Sequence, residues 1–160
     1  MKKCRNCKNK KLKKIIKIGT QPLSGVFFKK KVFNAKKYPL DLFQCQKCKL
    51  VQISKTVNSE KMFGETYEYR TSLSQLMVNH IKNKVNYLKD KKLIDNNSKI
   101  LDIGSNDGTF LNFFKTSLKL VGIDPSAYKF KKNYNKNIEV IYNYFSKKNI
   151  EKNLKKKIDF

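Results

Sequence analysis

Hydrophobic residues in the last third of the chain fall into short runs that are separated by turn-forming residues. Three runs predict buried strands, at residues 100–103, 118–123 and 138–141. Three segments between or after them predict helices, at residues 109–115, 126–134 and 146–156. Residues 158–160 predict the opening of a fourth strand. This alternation of strand and helix predicts an α/β fold with a parallel, doubly wound, Rossmann-like sheet.

A longer amphipathic helix is predicted before this sheet. Ser72 and Gln75 fit a capping box that would open the helix, and the polar residues 95–98 would end it. Its apolar side recurs at steps of three and four residues: Leu73, Leu76, Met77, His80, Ile81, Val85 and Leu88. On this pattern His80, on the apolar face of the helix, is more typical of a satisfied structural histidine than of a catalytic one.

The first region differs from the rest of the chain, because it holds all four cysteines. Residues 40–44 and 50–53 suit short strands on either side of Cys45 and Cys48. The sequence therefore predicts a small domain over residues 1–54 and a connector with the amphipathic helix over residues 55–98. The start of the sheet domain follows over residues 99–160.

Charge changes this picture less than its size suggests. The 160 residues include 37 Lys and Arg against 12 Asp and Glu, a net charge of +25. All but two of those cations are lysine, the exceptions being Arg5 and Arg70. Nucleic-acid surfaces usually recruit arginine for bidentate contacts, so we interpret the lysine excess as compositional and predict no specific nucleic-acid partner. The sequence also predicts no membrane span and a cytoplasmic protein with reduced thiols.

The cysteines form two hooks, Cys4-x-x-Cys7 and Cys45-x-x-Cys48. Two such pairs can supply a tetrahedral set of thiolates for one Zn²⁺ ion. Since four protein ligands leave no open position, the predicted role of the metal is structural. A redox dithiol and unpaired cysteines are the alternatives, but a redox pair does not need a matching second pair.

A glycine-punctuated turn follows the first predicted strand of the sheet. It contains Gly104, Ser105, Asn106 and Gly108, and it lacks the G-x-G-x-x-G spacing of dinucleotide sites. The carboxylate of Asp102 beside the turn would repel a pyrophosphate and favour a cation. Asp124, at the end of the next strand, is placed to accept hydrogen bonds from a ribose. A nucleoside that carries positive charge and no phosphate would suit both acids, and S-adenosylmethionine is such a ligand. The alternative is an ordinary corner between strand and helix with no ligand.

Five segments carry a resemblance to a known family. They are Cys4-x-x-Cys7, Tyr38-Pro39-Leu40 running into Cys45-x-x-Cys48-x-Leu50-Val51-Gln52, Tyr67-x-Tyr69-x-Thr71-Ser72-x-Ser74 with His80, Leu101-Asp-Ile-Gly-Ser-Asn-Asp-Gly-Thr109, and Gly122-Ile-Asp-Pro-Ser126. In this order they resemble zinc-binding, S-adenosylmethionine-dependent C-methyltransferases that act on nucleotide-linked keto-deoxysugars. The match covers nearly the whole chain.

The resemblance implies roles for several residues. Gly104, Ser105, Asn106, Gly108 and Asp124 would line the cofactor site. Tyr67, Tyr69 and Ser72 would face the sugar or cover the cofactor, although the two tyrosines could equally be core or interface residues. A nucleotide-linked sugar is the implied substrate.

One part of the family pattern has no counterpart in this sequence. Family members continue into a C-terminal domain that contributes a histidine and a tyrosine near the reacting carbon, and nothing in this sequence matches it. Tyr67, Tyr69 and His80 are the catalytic candidates that remain. We therefore expect a truncated chain or a fragment that is inactive alone, with a second chain as one way to complete it. The alternative interpretations are a nucleic-acid-binding zinc ribbon and a non-catalytic cofactor-binding remnant.

Overall fold

The computed structural model describes residues 3–26, 28, 30–31, 33–64 and 67–153. Within it the chain separates into two compact units, Met1–Glu68 and Tyr69–Phe160. The fold combines helices and strands with a four-cysteine cluster in the first unit, which confirms the α/β class and the position of the cysteine-bearing region. The finer boundaries at residues 54 and 98 stay predictions. The strand predicted at residues 158–160 lies outside the described residues.

The first unit consists of short antiparallel strands. Its elements are β1 (Leu12–Ile16), β2 (Thr20–Pro22), β3 (Lys37–Pro39), β4 (Leu42–Cys45), β5 (Val51–Ile53) and α1 (Ser59–Phe63). Strand β4 lies between β1 and β5 in one sheet, and β2 pairs with β3 in another. Strands β4 and β5 correspond to the two predicted strands, whereas β1, β2 and β3 were not predicted.

The second unit contains a parallel sheet. Its elements are α2 (Gln75–Asp90), β6 (Lys99–Ile103), β7 (Lys119–Ile123), β8 (Ile138–Ile141) and α3 (Lys147–Asn153). The strand order is β6-β7-β8, and both pairings are parallel, as the three apolar runs predicted. Each strand lies beside the one before it, on the same side. A doubly wound sheet also needs a later strand on the other side of β6, and this part of the fold stays a prediction.

Strand β7 supplies side chains to both faces of the sheet. Leu120 joins a buried cluster with Val85, Leu111 and Ile138, while Val121 packs with the opposite cluster that contains Ile123 and Ile141. Alternate side chains of a strand point to opposite faces, and β7, which is covered on both sides, is apolar and buried from Leu120 to Ile123. This burial fixes the carboxyl end of β7, where Asp124 follows.

Two predicted helices are instead short 3₁₀ segments. They are Leu111–Phe113 and Ala127–Asn133, and the second is kinked at Phe130, which has non-helical φ and ψ of −110° and 16°. The side chain of Asn112 explains part of the difference. Its Nδ2 donates to the Asn133 carbonyl at 2.7 Å, and its Oδ1 accepts from the N–H of Asn135 at 3.1 Å. These bonds tie the two segments together, so a tertiary contact overrides the helical pattern.

Helix α2 begins and ends differently from the prediction. Ser74, not Ser72, caps it by accepting from the N–H of Met77 at 3.3 Å, and the helix ends at Asp90 rather than at residues 95–98. Of its predicted apolar side only Val85 is buried, and Leu76 is 81% exposed. His80 is exposed as well, so the predicted apolar face is not buried at this position. In the described part of the chain, every helix is too short or too polar to cross a bilayer.

Candidate functional site

The two cysteine hooks of the first unit have the same backbone geometry. In the first, the N–H of Lys8 donates to the carbonyl of Cys4 at 3.1 Å; in the second, the N–H of Lys49 donates to the carbonyl of Cys45 at 3.0 Å. Both lysines lie in the left-handed region, with φ of 61° and 62°. The positive φ reverses the chain after each hook, so that both sulfur atoms of a pair face inward.

The hooks bring four sulfur atoms together. The Sγ atoms of Cys4 and Cys48 lie 3.6 Å apart, those of Cys7 and Cys45 lie 3.5 Å apart, and all four lie within 4.8 Å of one another. Tetrahedral Zn–S bonds of about 2.3 Å would place sulfur atoms roughly 3.8 Å apart. All four cysteines are free of disulfides. The cluster therefore fits one tetrahedral zinc ion.

Backbone and side-chain donors around the cluster favour thiolate at Cys45. Burial acts to raise the pKa of this thiol, but the N–H groups of Cys48 and Lys47 and the Asn9 amide, 3.6 Å from the sulfur, outweigh it and lower the pKa to about 6. At Cys7 the N–H of Asn9 lowers the pKa, yet burial and the other thiols raise it to about 11. Such a set can hold four thiolates only when a cation neutralises them.

The first hook is held to the sheet by Arg5. The backbone N–H of Arg5 donates to Oε1 of the buried Gln52 at 2.9 Å, and its guanidinium donates to the carbonyl of Ile53 at 2.9 Å. Both acceptors belong to β5, which pairs with β4, and the second hook begins at the end of β4. The sheet therefore fixes the spacing of the two hooks.

In the second unit, the turn after β6 has free space beside its first glycine and close packing beside its second. Gly104 and Gly108 have φ of 81° and 78°, and Asn106, at 47°, is the non-glycine residue that the turn places in the left-handed region. A Cβ atom at Gly104 would meet nothing within 4 Å, whereas one at Gly108 would lie 2.7 Å from the ring of Tyr134. The turn is thus open to a ligand at Gly104 and packed at Gly108.

Asp124 joins this turn to the segment after β7. One carboxylate oxygen accepts from the N–H of Asn106 at 3.0 Å, and the other accepts from the N–H and the hydroxyl of Ser126 at 2.6 Å each. The residue is 9% exposed. Since a carboxylate has about four acceptor positions, these three bonds leave about one for a ligand.

Asp102 is the second acid at the carboxyl ends of the parallel strands. It is partly buried near the end of β6, and its backbone pairs with Gly122 of β7. Burial, and after it the neighbouring carboxylate of Asp124, raise the pKa of Asp102 to about 6. Two acids with little water around them favour a cation at this edge of the sheet.

The polar side chains of the turn make internal hydrogen bonds. Ser105 bonds to the hydroxyl of Tyr134 at 2.8 Å, and that hydroxyl also donates to the carbonyl of Asn106 at 2.8 Å. Burial raises the pKa of Tyr134, so the phenol stays protonated and can donate. For Ser105 and Asn106 the expectation that they line the cofactor site stays a prediction, and their side chains serve to hold the turn.

Residues 69–72 are hydrogen-bonded onto the turn. Asn106 Oδ1 accepts from the N–H of Thr71 at 3.0 Å, and Asn106 Nδ2 donates to the carbonyl of Tyr69 at 3.0 Å. Asp107 accepts from the N–H of Ser72 at 2.9 Å. We call residues 69–72 the strap. Asp107 had no predicted role, although Thr109, two residues later, is a local signal for it: its hydroxyl donates to the Asp107 carboxylate at 2.6 Å.

The three catalytic candidates occupy different surroundings. Tyr67 belongs to the first unit, where its ring packs edge-on against Phe63 with centroids 5.5 Å apart. Tyr69 is 40% exposed in the strap, and His80 is exposed on α2. Their catalytic roles stay predictions.

Comparison with known proteins gives two matches. Residues 4–63 match the family described as "Putative zinc binding domain". The C-methyltransferase NovU from Streptomyces niveus is 24% identical over 126 residues, which cover 77% of this chain and 30% of that protein. The resemblance to zinc-binding C-methyltransferases is confirmed. The chain spans about 30% of the length of this curated relative.

The cysteine cluster should hold one structural zinc ion. Elemental analysis of protein purified without added metal should find about one zinc per chain. Removal of the metal with a chelator should abolish hydrogen-exchange protection in strands β1–β5, because binding and folding of such small sites are coupled, and leave β6–β8 protected. Zinc-free protein with unchanged protection in the first unit would contradict this prediction.

Replacement of Lys49 by glycine should stabilise the zinc-binding unit. A left-handed lysine costs on the order of 1 kcal/mol relative to glycine, which adopts that conformation freely. The denaturant midpoint for zinc release, followed with a chromophoric chelator, should therefore rise in Lys49→Gly. Lys10→Gly is the matched control, since Lys10 is exposed and outside the left-handed region. An equal or larger rise in the control would show that backbone conformation is not the cause.

Proposed function

We propose that the second unit binds S-adenosylmethionine and that the protein takes part in methyl transfer to a carbon atom of a nucleotide-linked keto-deoxysugar. The observation that supports cofactor binding is the pair of acids, Asp102 and Asp124, beside an open turn at the carboxyl ends of β6 and β7. The proposed role in methyl transfer is supported by the match to a zinc-binding domain and by the C-methyltransferase relative.

The charges at the site suit this ligand better than a phosphate-bearing one. A pyrophosphate brought to the open side of Gly104 would meet the carboxylate of Asp102. The sulfonium and ammonium groups of S-adenosylmethionine are cations, and they would lower the energetic cost of ionising Asp102 at this partly buried position. The remaining acceptor position of Asp124 suits a ribose hydroxyl, as strand-end acids do in related sites.

The residues of this chain would bind and orient the cofactor. When bound, S-adenosylmethionine supplies an activated methyl group. The left-handed Gly104 lets backbone approach the ligand, and the hydrogen bonds of Asn106, Asp107 and Asp124 hold the surrounding turn without further reorganisation. Tyr69 and Ser72 are the exposed residues of the strap, and both remain candidates to face the sugar or cover the cofactor.

The zinc ion in this proposal has a structural role. The four sulfur atoms complete a tetrahedral set, so the metal keeps no position for a substrate. The first unit has few buried apolar residues, Tyr38 among them, and a metal cross-link between its hooks compensates for a small core.

Asp124→Ala should weaken binding of S-adenosylhomocysteine, the demethylated form of the cofactor. Loss of charge-assisted hydrogen bonds predicts a decrease in affinity of roughly 10- to 100-fold, which calorimetry can measure. Asp90→Ala is the matched control, because Asp90 is an exposed carboxylate at the end of α2.

Asp124→Asn adds a test of the carboxylate itself. Both oxygens of Asp124 accept N–H donors, so an amide would place its NH₂ group against the N–H of Asn106 or Ser126. This variant should therefore lose thermal stability as well as affinity. Wild-type protein that is folded yet binds no S-adenosylhomocysteine, or equal affinities in all variants, would refute the proposed site.

Binding of S-adenosylmethionine should strengthen as pH rises through about 6. Asp102 has its pKa raised to about 6 in the free protein, and a cationic ligand binds the ionised carboxylate. Affinity should increase between pH 5 and pH 7 and then level off, and Asp102→Asn should remove this part of the dependence. S-adenosylhomocysteine lacks the sulfonium charge, so its pH dependence should be shallower. A steeper dependence for the uncharged sulfide would contradict the placement of Asp102.

A further inference from the structure

Arg70 occupies the middle of the strap. Its neighbours Tyr69 and Thr71 are both bonded to Asn106, through the Tyr69 carbonyl and the Thr71 N–H. The guanidinium carbon lies 5.5 Å from the centroid of the Phe130 ring. Phe130 belongs to the 3₁₀ segment that follows Asp124. Arg70 is therefore fixed between the turn after β6 and the segment after β7.

The guanidinium is incompletely paired in this position. Its Nη2 donates to the hydroxyl of Ser72 at 3.4 Å, a long hydrogen bond. Its Nε is buried and has no hydrogen-bond partner among the described residues. A buried donor without an acceptor costs about 1–3 kcal/mol, so the position favours any ligand that can supply one.

The use of arginine at this position is itself informative. All but two cations of the chain are lysine, and the other arginine, Arg5, uses its guanidinium to bind the carbonyl of Ile53. A guanidinium differs from an ammonium in its planar fork, which can engage both oxygens of a carboxylate and can stack on an aromatic ring. Arg70 already has the ring contact, and among the described residues it has no ion pair with a carboxylate.

We propose that the guanidinium of Arg70 receives the α-carboxylate of S-adenosylmethionine and so positions the cofactor's amino-acid part. This inference rests on the proposed cofactor site. The carboxylate is the one anionic group of the ligand, and the acids Asp102 and Asp124 would repel it. The strap carries a single cation, and its hydrogen bonds to Asn106 and Asp107 hold that cation beside the turn.

Decarboxylated S-adenosylmethionine isolates this contact, because it differs from the cofactor only by the missing carboxylate. Calorimetry on the full chain would compare both ligands in wild type, Arg70→Gln and Arg70→Lys. Wild type should prefer the intact cofactor. Arg70→Gln should bind the intact cofactor roughly 10- to 100-fold more weakly and the decarboxylated ligand with unchanged affinity. Arg70→Lys, which keeps a cation and an apolar stem, should keep part of the preference.

Lys82→Gln is the control for net charge, since Lys82 is exposed on α2 and its loss removes the same charge. If Arg70→Gln weakens binding of both ligands equally, Arg70 has a merely structural role and the inference is overturned. The inference is also overturned if this variant still prefers the intact cofactor over the decarboxylated one. A larger effect on thymidine diphosphate than on the cofactor would assign Arg70 to the substrate's phosphates and also overturn it. Failure of wild type to bind either ligand would overturn the proposed function itself.

Discussion

The buried carboxylate of Asp124 is the interaction on which the second unit depends. Its oxygens accept from Asn106 on one side and from Ser126 on the other, so one side chain joins the ends of two parallel strands. Each bond is charge-assisted and shielded from water, and such bonds are stronger than those between neutral groups. The burial of β7 on both faces holds the carboxylate in place, and the turn and the strap are then arranged around it.

The first unit has little intrinsic stability, because its strands have three to five residues and its buried apolar residues are few. Sheet pairing alone gives such a unit little stability, so the sulfur cluster replaces part of a hydrophobic core. Arg5 connects the first hook to β5, while the second hook follows β4 directly. The metal and the sheet therefore support each other.

Local patterns in the sequence predicted those features that depend on neighbouring residues. The three parallel strands appear as short runs rich in apolar residues, and the hooks appear as a fixed cysteine spacing. The 3₁₀ segments were missed because Asn112 bonds to residues more than twenty positions away. Asp107 and Arg70 were missed for the same reason, since the strap and the turn are separated by 35 residues in sequence. Helical periodicity also failed to show that Leu76 and His80 lie on an exposed surface, because exposure depends on what covers the helix.

The contact of Gly108 with Tyr134 has an evolutionary consequence. Any side chain at position 108 would collide with the ring, and a smaller residue at position 134 would remove the hydroxyl that Ser105 and the Asn106 carbonyl both use. Single replacements at either place are therefore penalised, and at position 108 the left-handed φ of 78° adds backbone strain that no change at position 134 can relieve. Among related chains, glycine should therefore persist at position 108, while positions 105 and 134 should change together or not at all, as a single inherited unit.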